Sequence, residues 1–159
     1  MNPSGDVLLV EDNKADIQLT LRVLAEENAA YQVHVLRDGE EALNFIQGRG
    51  RYADVTKPLF ALVLLDLKLP KVNGLEVLKE LKTNPTTKAL PVVVLSSSNR
   101  VQDVDVSYKL GANGYVQKPV GFEEFTQAIR RIAEYWLQVN LGPSPAPFND
   151  PNSNKKAAE

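Results

Sequence analysis

Residues 60–74 read FALVLLDLKLPKVNG. From Phe60 to Leu65 the apolar residues follow one another without alternation, and a strand with no polar face is buried on both sides, as in a parallel sheet flanked by helices. The run stops at Asp66, a carboxylate at the strand's carboxyl end. A loop then leads to Gly74, where Leu75, Leu78 and Leu81 recur at helical spacing.

The same unit recurs on either side. Val7–Val10 and Val92–Leu95 are two further continuous apolar strands, and Gln32–Leu36 and Gly114–Val116 are weaker ones. Between them lie helical patterns. Ala15–Glu27 carries Ile17, Leu21 and Leu24 behind a cap at Asp12 or Asn13, and Asp38–Gln47 carries Ala42, Leu43 and Ile46 and stops at Gly48. Val101–Leu110 is terminated by Gly111, and Phe122, Phe125, Ile129, Ile132 and Trp136 form the core stripe expected of a fifth helix. Five strand–helix repeats imply an α/β fold, a doubly wound five-stranded parallel sheet with right-handed crossovers and helices on both faces. Gly48–Pro58 reads as a surface insertion. Residues 1–141 are expected to form one domain and 142–159 a proline-rich tail without a core of its own.

Composition narrows the classes of function. Apolar residues make up 43% and charged residues 24%, ordinary for a globular chain and unlike a disordered one. Phe60–Leu65 is the longest apolar run, far below the roughly 20 residues that cross a bilayer, so no membrane association is expected. The absence of cysteine excludes disulfides, iron–sulfur clusters and thiolate metal sites, and suits a cytoplasmic location. With 18 basic against 20 acidic residues the chain lacks the basic footprint of a nucleic-acid partner.

In open α/β sheets functional groups collect at the carboxyl ends of strands, where strand order reverses. Those ends are Glu11-Asp12, Asp66, Ser96-Ser97 and, directly after the fifth strand, Lys118-Pro119. If the strand order is 2-1-3-4-5, Glu11, Asp12 and Asp66 converge. At ~5 Å separation and an effective dielectric of ~20 each pair repels by about 3 kcal/mol, so the cluster asks for a cation. Oxygen-only ligands in a site that keeps waters describe Mg²⁺. Taken singly, each group has an ordinary reading: an acidic strand end and helix cap, a turn aspartate, a loop lysine, a satisfied hydroxyl. Their succession on neighbouring strand ends is what points to chemistry. His34, the only histidine, is read as structural.

The motifs VLLVEDN, LVLLDLKLPKVNG, VVVLSSS and GANGYVQKPV, in that order, resemble the receiver domain of two-component response regulators, over about Asp6 to Asn140. The resemblance implies the flavodoxin-like order 2-1-3-4-5. It makes Asp66 the acceptor of a phosphoryl group from a sensor histidine kinase, with Mg²⁺ held by Glu11, Asp12, Asp66 and the carbonyl oxygen of Lys68. Lys118 would contact the carboxylate and the phosphoryl oxygens, aimed by a cis bond to Pro119. Ser96 and Tyr115 would form the conformational switch. No enzymatic activity is implied beyond phosphorylation and dephosphorylation of the chain's own aspartate. The alternatives are a phosphorelay intermediate and a haloacid-dehalogenase-type phosphatase. The latter expects a second acid two residues after the nucleophile, where this chain has Lys68.

The long second loop, the run LKTNPTTKALPVVVLSSS and the C-terminal extension resemble the stand-alone receivers that partner bacterial and cyanobacterial phytochromes. That narrower likeness implies a phytochrome-type kinase and a homodimer through the fourth and fifth helices and the fifth strand. The fifth helix runs on through Tyr135, Trp136, Leu137 and Val139, apolar on more than one face. Leu141–Phe148 is expected to lie on the partner with Phe148 as its anchor. Residues 142–159 leave no room for a helix-turn-helix, so output is expected through protein contacts.

Overall fold

Strand β1 (Asp6–Val10) is buried from Val7 onward, β3 (Leu59–Leu65) from Leu62 onward, and β4 (Val92–Ser96) throughout. The computed structural model describes residues 5–27, 31–144 and 146–148. With β2 (Val33–Leu36) and β5 (Gly114–Gln117) the strands pair in parallel in the order β2-β1-β3-β4-β5. Successive residues feed opposite cores, which explains the continuous apolar runs. Leu8, Val10, Val63 and Leu65 pack toward α2 (Gly39–Gln47) and α3 (Gly74–Thr83). Val7, Leu9, Leu62 and Leu64 pack toward α1 (Lys14–Glu27) and α5 (Phe122–Glu134). Among the described residues no helix is long and apolar enough to cross a membrane.

Local chemistry sets the helix ends. The Asn13 side-chain oxygen accepts from the Asp16 N–H at 3.0 Å, so Asn13 caps α1 and Asp12 is left for other work. Asp38 caps α2 by accepting from the Glu41 N–H at 2.7 Å, and Gly48 ends it at φ 67°, the left-handed conformation glycine adopts without strain. The stripe expected on α5 is buried at Phe125, Ile129 and Ile132, and Trp136 is partly buried. Phe122 is a correction: it is 60% exposed. It stands in the first turn of α5, at the carboxyl rim of the sheet, where no strand extends beneath it. Beyond Glu134 the helix widens into one π-helical turn, Tyr135–Val139.

The C-terminal segment departs most from expectation. Ala146–Pro147 forms β6, antiparallel to the start of β3, with Phe60 opposite Ala146 and Leu59 opposite Pro147. A proline is tolerated there because the strand is an edge. Phe148 is 3% exposed, its ring centroid 4.9 Å from that of Phe60 and 5.5 Å from that of Phe45. Residues 146–148 therefore join this chain's own sheet and core, not a partner's surface; residues 149–159 lie outside the described residues. Apolar burial of a large ring is the reason: Phe60 and Phe45 leave a place at the start of β3 that Phe148 fills. The loop 48–58 contributes to the same cluster. Tyr52 stands edge-on to Phe45 at 5.0 Å, and the Lys57 ammonium lies 5.3 Å from the Phe45 ring centroid. His34 packs edge-on against Phe60, with Nε2 2.9 Å from Asp6 Oδ2, in keeping with a structural role.

Phe148→Ala empties the place beside the Phe45 and Phe60 rings. Urea denaturation should show a loss of about 3 kcal/mol, the cost typical of truncating a buried phenylalanine.

Candidate functional site

The sheet's hydrogen bonding runs past the strand ends and fixes the residues beyond them. The Glu11 N–H donates to Leu36 O at 2.9 Å, the Asp66 N–H to Val10 O at 3.0 Å, and the Lys118 N–H to Ser96 O at 2.7 Å. Gly74 lets the first turn of α3 lie against this rim. A Cβ there would fall 2.3 Å from the Asp66 carbonyl oxygen, so only glycine fits.

Three acids meet one ammonium. Lys118 Nζ lies 2.7 Å from Glu11 Oε2, 2.9 Å from Asp16 Oδ2 and 3.1 Å from Asp66 Oδ2. Glu11 and Asp66 are buried, while Asp12 stands exposed beside them. Ligand oxygens of Glu11, Asp12 and Asp66 lie within 4.8 Å of one another. The second oxygens are also used: Glu11 Oε1 accepts from the Asn13 N–H at 3.0 Å and Asp66 Oδ1 from the Lys68 N–H at 3.2 Å. Four carboxylates around one ammonium leave the site net negative, and oxygen donors without sulfur or imidazole suit a hard divalent cation.

Burial raises the Glu11 carboxyl to about 7; the Lys118 hydrogen bond opposes this and the charge of Asp66 adds to it. Burial by itself disfavours the Lys118 ammonium. The hydrogen bonds that the ammonium donates to Glu11 and Asp16, and the charges of Asp66 and Glu11, override it and raise Lys118 above an ordinary lysine. The amine is therefore a permanent cation at neutral pH.

Ser96 is fully buried at the end of β4, and its hydroxyl oxygen accepts from the Ser98 N–H at 3.3 Å. Ser98 O accepts from the half-buried Tyr115 hydroxyl at 2.9 Å. Ser96, the loop after β4 and Tyr115 on β5 are thus linked in one chain of hydrogen bonds. All the sequence-derived residues gather at one end of the sheet except that the Lys118–Pro119 peptide is trans, not the cis bond implied by the resemblance; among the described residues no peptide is cis. The ammonium reaches all three acids with the bond trans, the intrinsically favoured isomer of an X–Pro bond. Asp16 went unread in the sequence. Its only signal was an acid one helical turn beyond Asp12, which helix N-termini favour for their own reasons.

Residues 7–130 match the model of the response regulator receiver domain. The chain belongs to that family, and with it the dehalogenase-type alternative falls away. Over 138 residues it is 42% identical to response regulator Rcp1 of Synechocystis, covering 87% of this chain and 92% of Rcp1. A crystal structure of Rcp1 in its Mn(2+)-bound form superposes with a TM-score of 0.82 at 40% identity, over 88% of this chain and 99% of that one. The crystal structure of the phosphorylated cyanobacterial phytochrome response regulator RcpA likewise gives 0.82, at 43% identity over 88% and 99%. The probable methanogenesis regulatory protein FilR2 of Methanothrix harundinacea is 40% identical over 143 residues, 88% of each chain.

A divalent ion needs Glu11 ionised, so proton and metal compete. With Glu11 titrating near 7, Mn²⁺ or Mg²⁺ affinity measured by calorimetry should fall about tenfold from pH 8 to pH 6. Without metal the sign reverses. A carboxyl raised from 4.5 to about 7 favours the folded state below that range and loses the contribution as pH rises through 7.

Proposed function

We propose that the chain is a phosphorylation-controlled signalling protein in which Asp66 accepts a phosphoryl group from the phosphohistidine of a sensor kinase. The observation that carries this reading is the Lys118 ammonium bridging Asp66 and Glu11 beside Asp12. An ionised Asp66 oxygen attacks phosphorus and the N–P bond breaks, and the phosphohistidine ring, already protonated on its other nitrogen, leaves as neutral imidazole. The transition state is loose and phosphate-centred, so positioning and charge neutralisation are most of the catalysis. Asp66 is held in place by the sheet bond to Val10 and by the Lys68 N–H, and Lys118 offsets the charge gathering on the phosphoryl oxygens.

Glu11, Asp12, Asp66 and the Lys68 carbonyl would hold Mg²⁺, which would supply the second positive centre that the net-negative cluster lacks. Lys118 and Asp66 serve as the catalytic pair, with Ser96 as third member. The Ser96 hydroxyl turns toward the phosphoryl group, and the hydrogen-bonded path through Ser98 carries the change to Tyr115. Hydrolysis of the acyl phosphate resets the protein, and no other enzymatic activity is assigned.

Output is through protein contacts. α4 (Val101–Lys109) and the end of α5 expose Val101, Val106, Tyr108, Tyr135 and Val139, an apolar surface suited to a second copy of this chain through α4, β5 and α5. Likeness to the phytochrome regulators supports a phytochrome-type kinase as phosphodonor, and we place the exchange in the cytoplasm.

Acetyl phosphate with Mg²⁺ should add one phosphoryl group to the wild type, read by intact-mass spectrometry, and none to Asp66→Asn or to chelated protein. Labelling of Asp66→Asn would overturn the assignment. Lys118→Ala should be labelled yet lose the hydrogen-exchange change at α4 and β5. Light scattering at tens of micromolar, with beryllofluoride, should show a dimer; a monomer there removes the self-association.

A further inference from the structure

We propose that Asp16 is a positioning residue that holds one hydrogen of the Lys118 ammonium in the resting protein and gives it up when a phosphoryl group arrives on Asp66. This role rests on Asp66 being the phosphoacceptor. An ammonium has three hydrogens, and here all three are taken, by Glu11, Asp16 and Asp66. For Lys118 to donate to a phosphoryl oxygen, one existing partner must let go.

Burial decides which one. The Glu11 side chain is 3% exposed and its other oxygen is tied to the Asn13 N–H, so water cannot take the place of Lys118 there. Asp66 carries the incoming group itself. Asp16 is 24% exposed, at the mouth of the site, where water can take over its solvation. It is the partner whose release costs least.

An acid in the first turn of α1 has an ordinary explanation, favourable interaction with the helix N-terminus. That accounts for the residue type at position 16. It does not account for a side chain 2.9 Å from an ammonium that comes from the far end of β5. As long as Asp16 holds Lys118 it also neutralises it, and its charge repels an anion on Asp66. Asp16 thus weakens the phosphorylated state relative to the resting one, biasing the site toward the resting arrangement until phosphate and metal together outweigh it.

The sign of the effect is testable on the full chain. Asp16→Asn keeps the shape and the capped helix but removes the charge. In saturating Mg²⁺, titration with beryllofluoride followed by fluorine NMR should show binding to Asp16→Asn about tenfold tighter than to the wild type. In a Lys118→Ala background the same substitution should give no gain, because the residue acts through the lysine. Where the fluoride complex is weak in that background, the rate of acetyl phosphate labelling by mass spectrometry serves as second readout. Equal or weaker binding by Asp16→Asn, as expected if Asp16 merely braces Lys118, overturns the proposal. So does a gain that survives loss of Lys118, which would mark a general field effect. A wild type that binds no beryllofluoride refutes instead the phosphoacceptor role of Asp66.

Discussion

One ammonium among buried carboxylates constrains everything at the carboxyl end of this sheet. Glu11, Asp66 and Lys118 come from the ends of β1, β3 and β5, and they meet within 3.1 Å only because parallel strands finish at one level. Removing these charges from water is expensive, and their mutual attraction does not generally repay it. The cluster is therefore not what stabilises the fold. Stability comes from the two apolar layers on either face of the sheet, which can carry a strained, net-negative rim.

The layers are not equally firm. β1, β3 and β4 are enclosed on both sides, whereas α4 buries only Ser107 and shows Val101, Val106 and Tyr108 to solvent. Few buried contacts mean low local stability, the end of the range from which elements that move are drawn. The hydrogen-bonded path from Ser96 through Ser98 to Tyr115 runs into this looser region. Rigid strands hold the carboxylates and the ammonium, and a lightly anchored helix and an edge strand lie at the far end of that path.

At the opposite end of the sheet a second group of residues closes the structure. Phe45, Phe60 and Phe148 pack together at the start of β3, with Tyr52 and Lys57 against Phe45. The segment that ends at Phe148 contributes core there, separated from the carboxylate rim by the length of β3. Its apolar anchor is thus engaged within the chain, and the exposed apolar side chains of α4 and α5 form a separate surface.

The periodicity of the chain was enough for the strands, the helices and the parallel sheet, because continuous apolar runs and helical stripes each have a single good burial solution. It was enough also to put Glu11, Asp12, Asp66, Ser96 and Lys118 at one end of the sheet, since strand-end polar residues stand out against apolar strands. Phe122 was misread because spacing records a helix face but not how far the sheet extends beneath it. Phe148 was misread because a proline-rich stretch carries no periodicity, and its place depends on a gap between Phe45 and Phe60 that only packing creates. Asp16 stayed invisible because an acid at a helix start is common, and its distance to Lys118 is a relation across 102 residues. Local pattern determined which elements form and which ends are polar; three-dimensional packing alone decided which side chains share an ammonium, since that depends on contacts between residues far apart in the chain.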